Sequence, residues 1–157
     1  SAFFLDAYAF STEGVIGFSL GRKVKKSFLF AVTNSFQLSF VTALFISILY
    51  LFFFKSLVNL FTDLEYLRYL SYGFMFWIIL IPPVASFCYQ YDGIFIGASQ
   101  TDAMRNSMIL SVTLFIIFSL IFVKLLHNHG LWLSLLIFMV LRSLSLRFYF
   151  SRILKKF

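Results

Sequence analysis

Two long stretches of this sequence contain no charged residue, and they limit strongly what the chain can fold into. One runs from Phe28 to Phe54 and the other from Tyr69 to Tyr91. A helix of about 20 apolar residues crosses the hydrocarbon core of a bilayer, and each stretch is long enough to do so. Strands of a membrane barrel would instead alternate in polarity over segments of about 10 residues. The sequence therefore predicts helices that cross a membrane.

Composition places the whole chain in the same class. Of its 157 residues, 61% are hydrophobic and 22% are aromatic, whereas soluble domains average about 45–50% apolar residues. A soluble protein of this size has too much surface, relative to its volume, to hide that excess. We therefore predict an all-α fold, a polytopic transmembrane helical bundle.

Five apolar segments are expected to form about five spans. They cover residues 1–20, 27–54, 67–98, 102–125 and 130–150. Pro82 and Pro83 lie inside the third segment, and because each proline removes a backbone donor, a kink or break is expected there. The first segment begins at Ser1 without an initiator Met, a basic leader or a cleavage site. These features favour a piece of a longer protein.

The basic residues predict the orientation, because Lys and Arg are enriched in cytoplasmic loops. If the five helices alternate in direction, one end of the bundle receives most of them: Arg22, Lys23, Lys25, Lys26, Arg105, Arg142, Arg147, Arg152, Lys155 and Lys156. Lys55, Arg68 and Lys124 fall at the other end. The richer end is predicted to be cytoplasmic and to hold the C-terminus. The net charge of +7 then reflects topology and contact with membrane lipids, and no nucleic acid is expected as a partner.

Three carboxylic acids fall within the predicted spans, where a charge is costly unless it has a purpose. Asp6 and Glu13 are seven residues apart, so they lie on nearly the same face of the first helix; Asp6 near the outer interface is the alternative for that residue. Asp92 and Gly93 form either a loop turn or part of a helix that continues to Ala98. Carboxylates facing a bundle interior take a proton or Na⁺ as counter-charge. We therefore predict that Asp92, Asp6 and Glu13 couple ions or protons.

Three tyrosines stand beside these acids in the sequence. Tyr8, Tyr89 and Tyr91 are expected to line a path for amphipathic or cationic compounds, because aromatic faces attract cations. Arg142 is expected to face the bundle or to extend to the cytoplasmic interface. These tyrosines are the predicted substrate cavity.

The remaining polar residues carry weaker signals. His127 and His129 are two residues apart with no third ligand, which is a poor metal signature, and a loop is expected there. Cys88 is the single cysteine, so no disulfide framework forms. We predict no metal site and no cofactor apart from the coupling ion, H⁺ or Na⁺.

Several short motifs occur in the order and spacing of one known family. Residues 92–98 read DGIFIGA and are followed by Thr101-x-x-Met104-Arg105-Asn106. Residues 5–9 read LDAYA, with Glu13 and Gly21 after them, and residues 128–133 read NHGLWL, with FMxxR at 138–142. These motifs resemble the C-terminal lobe of the multidrug and toxic compound extrusion (MATE) family, in its DinF-like branch. The first group resembles the tenth helix and its exit, and the others resemble the eighth helix and the turn into the twelfth.

The resemblance implies both an architecture and a function. It implies twelve helices in two six-helix lobes, with this chain supplying helices eight to twelve and the N-terminal lobe as the missing partner. It implies a secondary antiporter of the bacterial inner membrane that exports organic or cationic drugs or toxic metabolites in exchange for H⁺ or Na⁺. It also implies that the protein is not an enzyme and that Asp92 matches the acid of the C-lobe polar site.

Two other functions are compatible with a multi-pass chain. A lipid-linked saccharide flippase of the same broad superfamily needs a cavity rich in cationic groups for a pyrophosphate, but the predicted interior offers only Arg142. An intramembrane acyltransferase would use His127 or His129, but no acidic or nucleophilic partner stands at catalytic spacing. Efflux by antiport is therefore the favoured prediction.

Overall fold

A computed structural model describes residues 2–155 and 157 of the chain, and within them it contains six α-helices and no strand. The helices are α1 (Ala2–Gly21), α2 (Lys25–Phe61), α3 (Glu65–Tyr72), α4 (Met75–Gly97), α5 (Thr101–Leu126) and α6 (Asn128–Leu154). The prediction of an all-α, polytopic bundle is confirmed. By length and apolar character, α2, α4, α5 and α6 are candidate membrane spans. In this part of the chain α1 is not one of them, because its acids and hydroxyl residues lower its mean hydropathy.

A cluster of buried hydrophobic side chains holds four helices together at one end of the bundle. Ile16 of α1, Phe28 of α2, Phe95 of α4 and Leu146 and Ile153 of α6 pack together there. This end also carries most of the basic side chains: Arg22, Lys23, Lys25, Lys26, Arg105, Arg147, Arg152 and Lys155. Lys156, which was predicted to join them, lies outside the described residues. We call this the basic end of the bundle; its cytoplasmic location stays a prediction.

Two of the predicted helix boundaries are wrong. The second helix does not end at Phe54 but continues to Phe61, because Lys55 does not interrupt it: its Nζ lies 5.8 Å from the centre of the Tyr72 ring. With 37 residues, α2 is longer than a bilayer requires. The predicted 67–98 segment is divided at Gly73 and Phe74 into the short, amphipathic α3 and the apolar α4.

Polar side chains connect the helices at the end of the bundle opposite the basic end. Arg68 of α3 donates hydrogen bonds to the Thr62 carbonyl oxygen at 2.8 Å and to Asp63 Oδ1 at 3.2 Å. Trp77 Nε1 of α4 donates to His129 Nδ1 of α6 at 2.9 Å. The predicted loop around the histidines is confined to His127, whose φ is 51°, since α6 already begins at Asn128.

Of the kink or break predicted at Pro82 and Pro83, the break is absent, because α4 continues from Met75 to Gly97; the kink stays a prediction. Pro83 lacks the N–H that would bond the carbonyl oxygen of Ile79, four residues earlier. Ser47 Oγ of α2 donates a hydrogen bond of 2.7 Å to that oxygen. In lipid a backbone carbonyl must find a partner within the protein, and here a neighbouring helix supplies it.

We expect Ser47→Ala to destabilise the protein by about 1 kcal/mol, the usual scale for a hydrogen bond between membrane helices. The Ile79 carbonyl would then have neither the helix nor Ser47 as donor. In a Pro83→Ala background the helix regains its own N–H, so the same Ser47→Ala change should cost clearly less. Unfolding free energies of the four proteins in detergent measure this difference. An equal cost in both backgrounds would show that Ser47 does not replace the missing donor.

Candidate functional site

The three predicted acids lie around one cavity of about 260 Å³ between α1, α4, α5 and α6. Its lining is Asp6, Ala9, Phe10, Glu13, Tyr89, Asp92, Gly93, Ile96, Met104 and Arg142. Asp6 and Glu13 come from α1, as their spacing predicted, and Asp92 faces them from α4. Asp92 lies within a helix, not in a loop turn, since α4 continues to Gly97.

Asp92 forms an ion pair with Arg142 of α6. Arg142 Nη2 donates to Asp92 Oδ1 at 2.9 Å, and Nε donates to the same oxygen at 3.2 Å. The Arg142 side chain is 12% exposed and that of Asp92 is 21% exposed. A buried charge needs an opposite charge and hydrogen bonds to offset the cost of leaving water. The pair therefore places a carboxyl group and a guanidinium group in contact at the wall of the cavity.

Two serines fix the backbone that carries Arg142. Ser145 Oγ donates to the Arg142 carbonyl oxygen at 3.1 Å, and Ser107 Oγ of α5 donates to it at 3.4 Å. Arg142 Nη1 also contacts Met108 Sδ of α5. These contacts join α5 to α6 beside the ion pair, so the position of the guanidinium group depends on both helices.

The cavity carries more negative than positive groups. Among the described residues, Asp6 and Glu13 have no salt bridge, while Arg142 is already paired with Asp92. The carboxyl groups are also not gathered around one point: in the described residues no three Asp, Glu, His or Cys side chains are arranged to hold a metal ion. The arrangement leaves two acids whose charge a proton or another cation can neutralise.

Close contact between α1 and α4 sets the spacing of the acids. A Cβ atom added at Gly97 would lie 2.5 Å from the backbone oxygen of Glu13, and one added at Gly93 would lie closer still to that of Ala9. Glycines four residues apart let two membrane helices approach closely. Gly93 and Gly97 therefore bring the backbone of Glu13 against the helix that carries Asp92.

The three predicted tyrosines do not share one site. Tyr89 lines the cavity with the acids. Tyr8 faces α2, where its Oη accepts a hydrogen bond from Thr42 at 3.0 Å. Tyr91 packs edge-on against Phe36 of α2, with ring centres 5.1 Å apart. The structure thus brings Tyr89 into the charged cavity and leaves Tyr8 and Tyr91 on other faces.

Sequence reasoning missed two residues near the site. Arg142 was expected to face the bundle or the interface, without a partner; its opposite charge to Asp92 was the available signal. Gln90 is fully buried, and its Oε1 accepts a hydrogen bond from Thr12 at 2.8 Å. Its Nε2 has no partner among the described residues. A lone amide inside an uncharged run gives no hint of which helix it will face.

Helices with the apolar character of membrane spans, packed around an ion pair and two further acids, define a multi-pass membrane protein with a charged interior. The family model described as MatE matches residues 2–121. The chain belongs to the MATE family, and the predicted resemblance to its DinF-like branch is confirmed by a relative. That relative is DNA damage-inducible protein F of Escherichia coli (strain K12), which is 34% identical over 146 residues.

The match covers the two proteins unequally. It includes 93% of this chain and 32% of the relative, so the chain spans about a third of the length of that protein. No solved structure matches the chain.

Proposed function

We propose that the protein containing this chain is a secondary antiporter that exports organic or cationic compounds in exchange for H⁺ or Na⁺. Membership of the MATE family supports an efflux transporter, and the charged cavity supports ion coupling. The observation that carries the proposal is the Asp92–Arg142 pair in the same cavity as Asp6 and Glu13.

The charge of the cavity provides a mechanism for exchange. Two carboxylates without a basic partner attract an organic cation and an inorganic one alike, and in a low-dielectric interior this attraction is strong. Once a proton or Na⁺ neutralises them, the attraction for the organic cation falls. Binding of one cation therefore favours release of the other, which is the requirement for antiport. Tyr89 adds an aromatic surface for the organic cation.

The geometry favours the proton over Na⁺. A proton needs a single carboxylate, whereas transporters hold Na⁺ with several oxygens, including carbonyl oxygens of unwound helix. Here α4 is helical throughout, and the carboxyl groups do not converge. We propose that the coupled ion is a proton, carried by Asp92 together with Asp6 and Glu13.

The same proposal covers the second lobe, the membrane and the orientation of the complete transporter. The chain would form most of the C-terminal lobe, rocking against an N-terminal lobe in the bacterial inner membrane, with its basic end in the cytoplasm. The alternative, a lipid-linked saccharide flippase, gains no support from the cavity. The one guanidinium group that lines the cavity, that of Arg142, is already paired with Asp92. The cavity therefore offers no free cationic cluster to a pyrophosphate.

Reconstituting the complete protein in proteoliposomes tests the proposal. A fluorescent organic cation should move against its gradient when a proton gradient is imposed in the opposite direction. A sodium gradient alone should drive little movement, and both gradients should fail after a protonophore and a sodium ionophore are added together. Transport that is unaffected by either gradient would refute antiport. Transport driven by sodium alone would refute the choice of ion.

A further inference from the structure

A second cavity, separate from the charged one, forms a groove between α2, α4 and α6. Its volume is about 390 Å³. Apolar side chains make up most of its walls, including Phe40 of α2, Val84 and Phe87 of α4, and Val140 and Leu144 of α6. Phe87 and Leu144 are exposed on the surface of the bundle. Within the described residues the groove is therefore open at the surface of the bundle.

The groove is elongated, and Tyr91 and Arg147 lie at one end of it, while the Ser143 hydroxyl on its wall donates to the Met139 carbonyl oxygen. It extends from Pro83 to Tyr91 along α4 and from Val140 to Arg147 along α6, which at 1.5 Å per residue is about 12 Å and about 10 Å. Both helices run towards the basic end of the bundle. The Tyr91 hydroxyl and the Arg147 guanidinium group therefore lie at the end of the groove nearest the membrane surface.

Arg147 differs from Arg142 in having no acidic partner. Among the described residues it takes part in no salt bridge or side-chain hydrogen bond, and no Asp or Glu lines the groove. The groove uses the face of α4 that bears Tyr91, while Asp92 and Tyr89 lie on the opposite face. Arg147 is thus a free positive charge at the head of an apolar channel.

We propose that this groove binds an anionic phospholipid, with an acyl chain along the apolar walls and the phosphate group at Arg147. Charge complementarity favours an acidic headgroup, and basic pockets between helices on the cytoplasmic side of membrane proteins are suited to such headgroups. The elongated apolar walls match a lipid chain, and their exposure gives that chain a route in from the bilayer. The site is independent of the Asp92 cavity and of the proposed transport.

A tryptophan placed in the groove reports which lipid occupies it. The complete protein carrying Leu144→Trp is reconstituted in phosphatidylcholine vesicles that contain either brominated phosphatidylglycerol or brominated phosphatidylcholine at equal mole fraction. Bromine quenches tryptophan on contact. We expect quenching to show about fivefold selectivity for phosphatidylglycerol, the effect of one basic residue at an anionic headgroup. The signal of the native Trp77 and Trp132 is subtracted with the parent protein.

Two matched changes assign the selectivity to Arg147. Adding Arg147→Gln should reduce it to about one, while Arg152→Gln should leave it unchanged, because Arg152 lies over the Tyr149 ring and does not line the groove. A tryptophan at Leu38, an exposed position of α2 outside the groove, should show no selectivity.

Three results would overturn the proposal. Absence of quenching by either lipid at Leu144→Trp would mean that protein or a transported compound fills the groove. Equal quenching by both lipids would mean that the groove does not recognise charge. Selectivity that survives Arg147→Gln would mean that another group binds the phosphate.

Discussion

Replacing Arg142 with glutamine should destabilise the complete protein by about 3 kcal/mol, the low end of the cost of breaking a buried ion pair. Asp92 would lose the guanidinium group that lies 2.9 Å from its Oδ1 and would have no other basic partner in the cavity. The low end applies because the Asp92 side chain is 21% exposed and water can solvate it in part. Titration of unfolding with denaturant in detergent gives the free energy.

Adding Asp92→Asn to this variant should restore most of the lost stability, since two neutral amides replace an unpaired charge. Gradient-driven transport should be absent from this double variant, because asparagine cannot carry a proton. This combination separates the two roles of the pair: stability returns, and gradient-driven efflux does not. Efflux that recovers together with stability would contradict the role of Asp92 as proton carrier.

The matched control is Arg105→Gln. Arg105 also forms an ion pair, with Asp102 at 3.4 Å, but the two side chains are 65% and 83% exposed. Removing such a pair should change stability by less than about 1 kcal/mol. If Arg142→Gln costs no more than Arg105→Gln, the buried pair does not stabilise the bundle.

Alanine at Gly93 or Gly97 should separate α1 from α4 and lower both stability and efflux. The added methyl group would meet the backbone of Ala9 or Glu13, and a backbone cannot move aside as a side chain can. Overpacking of this kind costs about 1–3 kcal/mol. Efflux should fall with stability, because the separation also moves Glu13 away from Asp92. Thermal unfolding and gradient-driven efflux of the purified protein measure the two effects.

Gly14→Ala is the control for a glycine without such a contact. It lies on α1 between Ala9 and Gly17, and a Cβ there meets nothing within 4 Å. Alanine is the better helix former by about 1 kcal/mol, so stability should be unchanged or raised. If Gly14→Ala lowers stability as much as Gly93→Ala does, the effect at Gly93 comes from a general intolerance of alanine and not from the close contact between α1 and α4.

The local pattern of apolar and charged residues was sufficient to predict the class of fold. Uncharged runs such as Phe28–Phe54 predict helices because every backbone group in lipid must bond within its own segment. At Pro83 the same logic left a kink or a break open, because the donor that replaces the missing N–H, Ser47, comes from another helix. It failed at Gly73, where a short amphipathic helix precedes a span and hydropathy alone runs through both.

The candidate site was predictable as a set of acids but not as an arrangement. The seven-residue spacing of Asp6 and Glu13 gives a shared face, and both line the cavity with Asp92. The pairing of Asp92 with Arg142 depends on how α4 and α6 pack, which no local pattern contains. For the same reason the three tyrosines, adjacent to acids in sequence, point to different neighbours in the structure.

The contact between α1 and the glycines of α4 has a consequence for how the protein is made. The ribosome releases α1 before it has synthesised α2 and α3, and Gly93 and Gly97 emerge later still. Until then α1, whose apolar character falls short of that of α2, α4, α5 and α6, holds two acids in or near lipid without its closest neighbour. An unfinished chain therefore exposes a polar helix that a finished chain conceals.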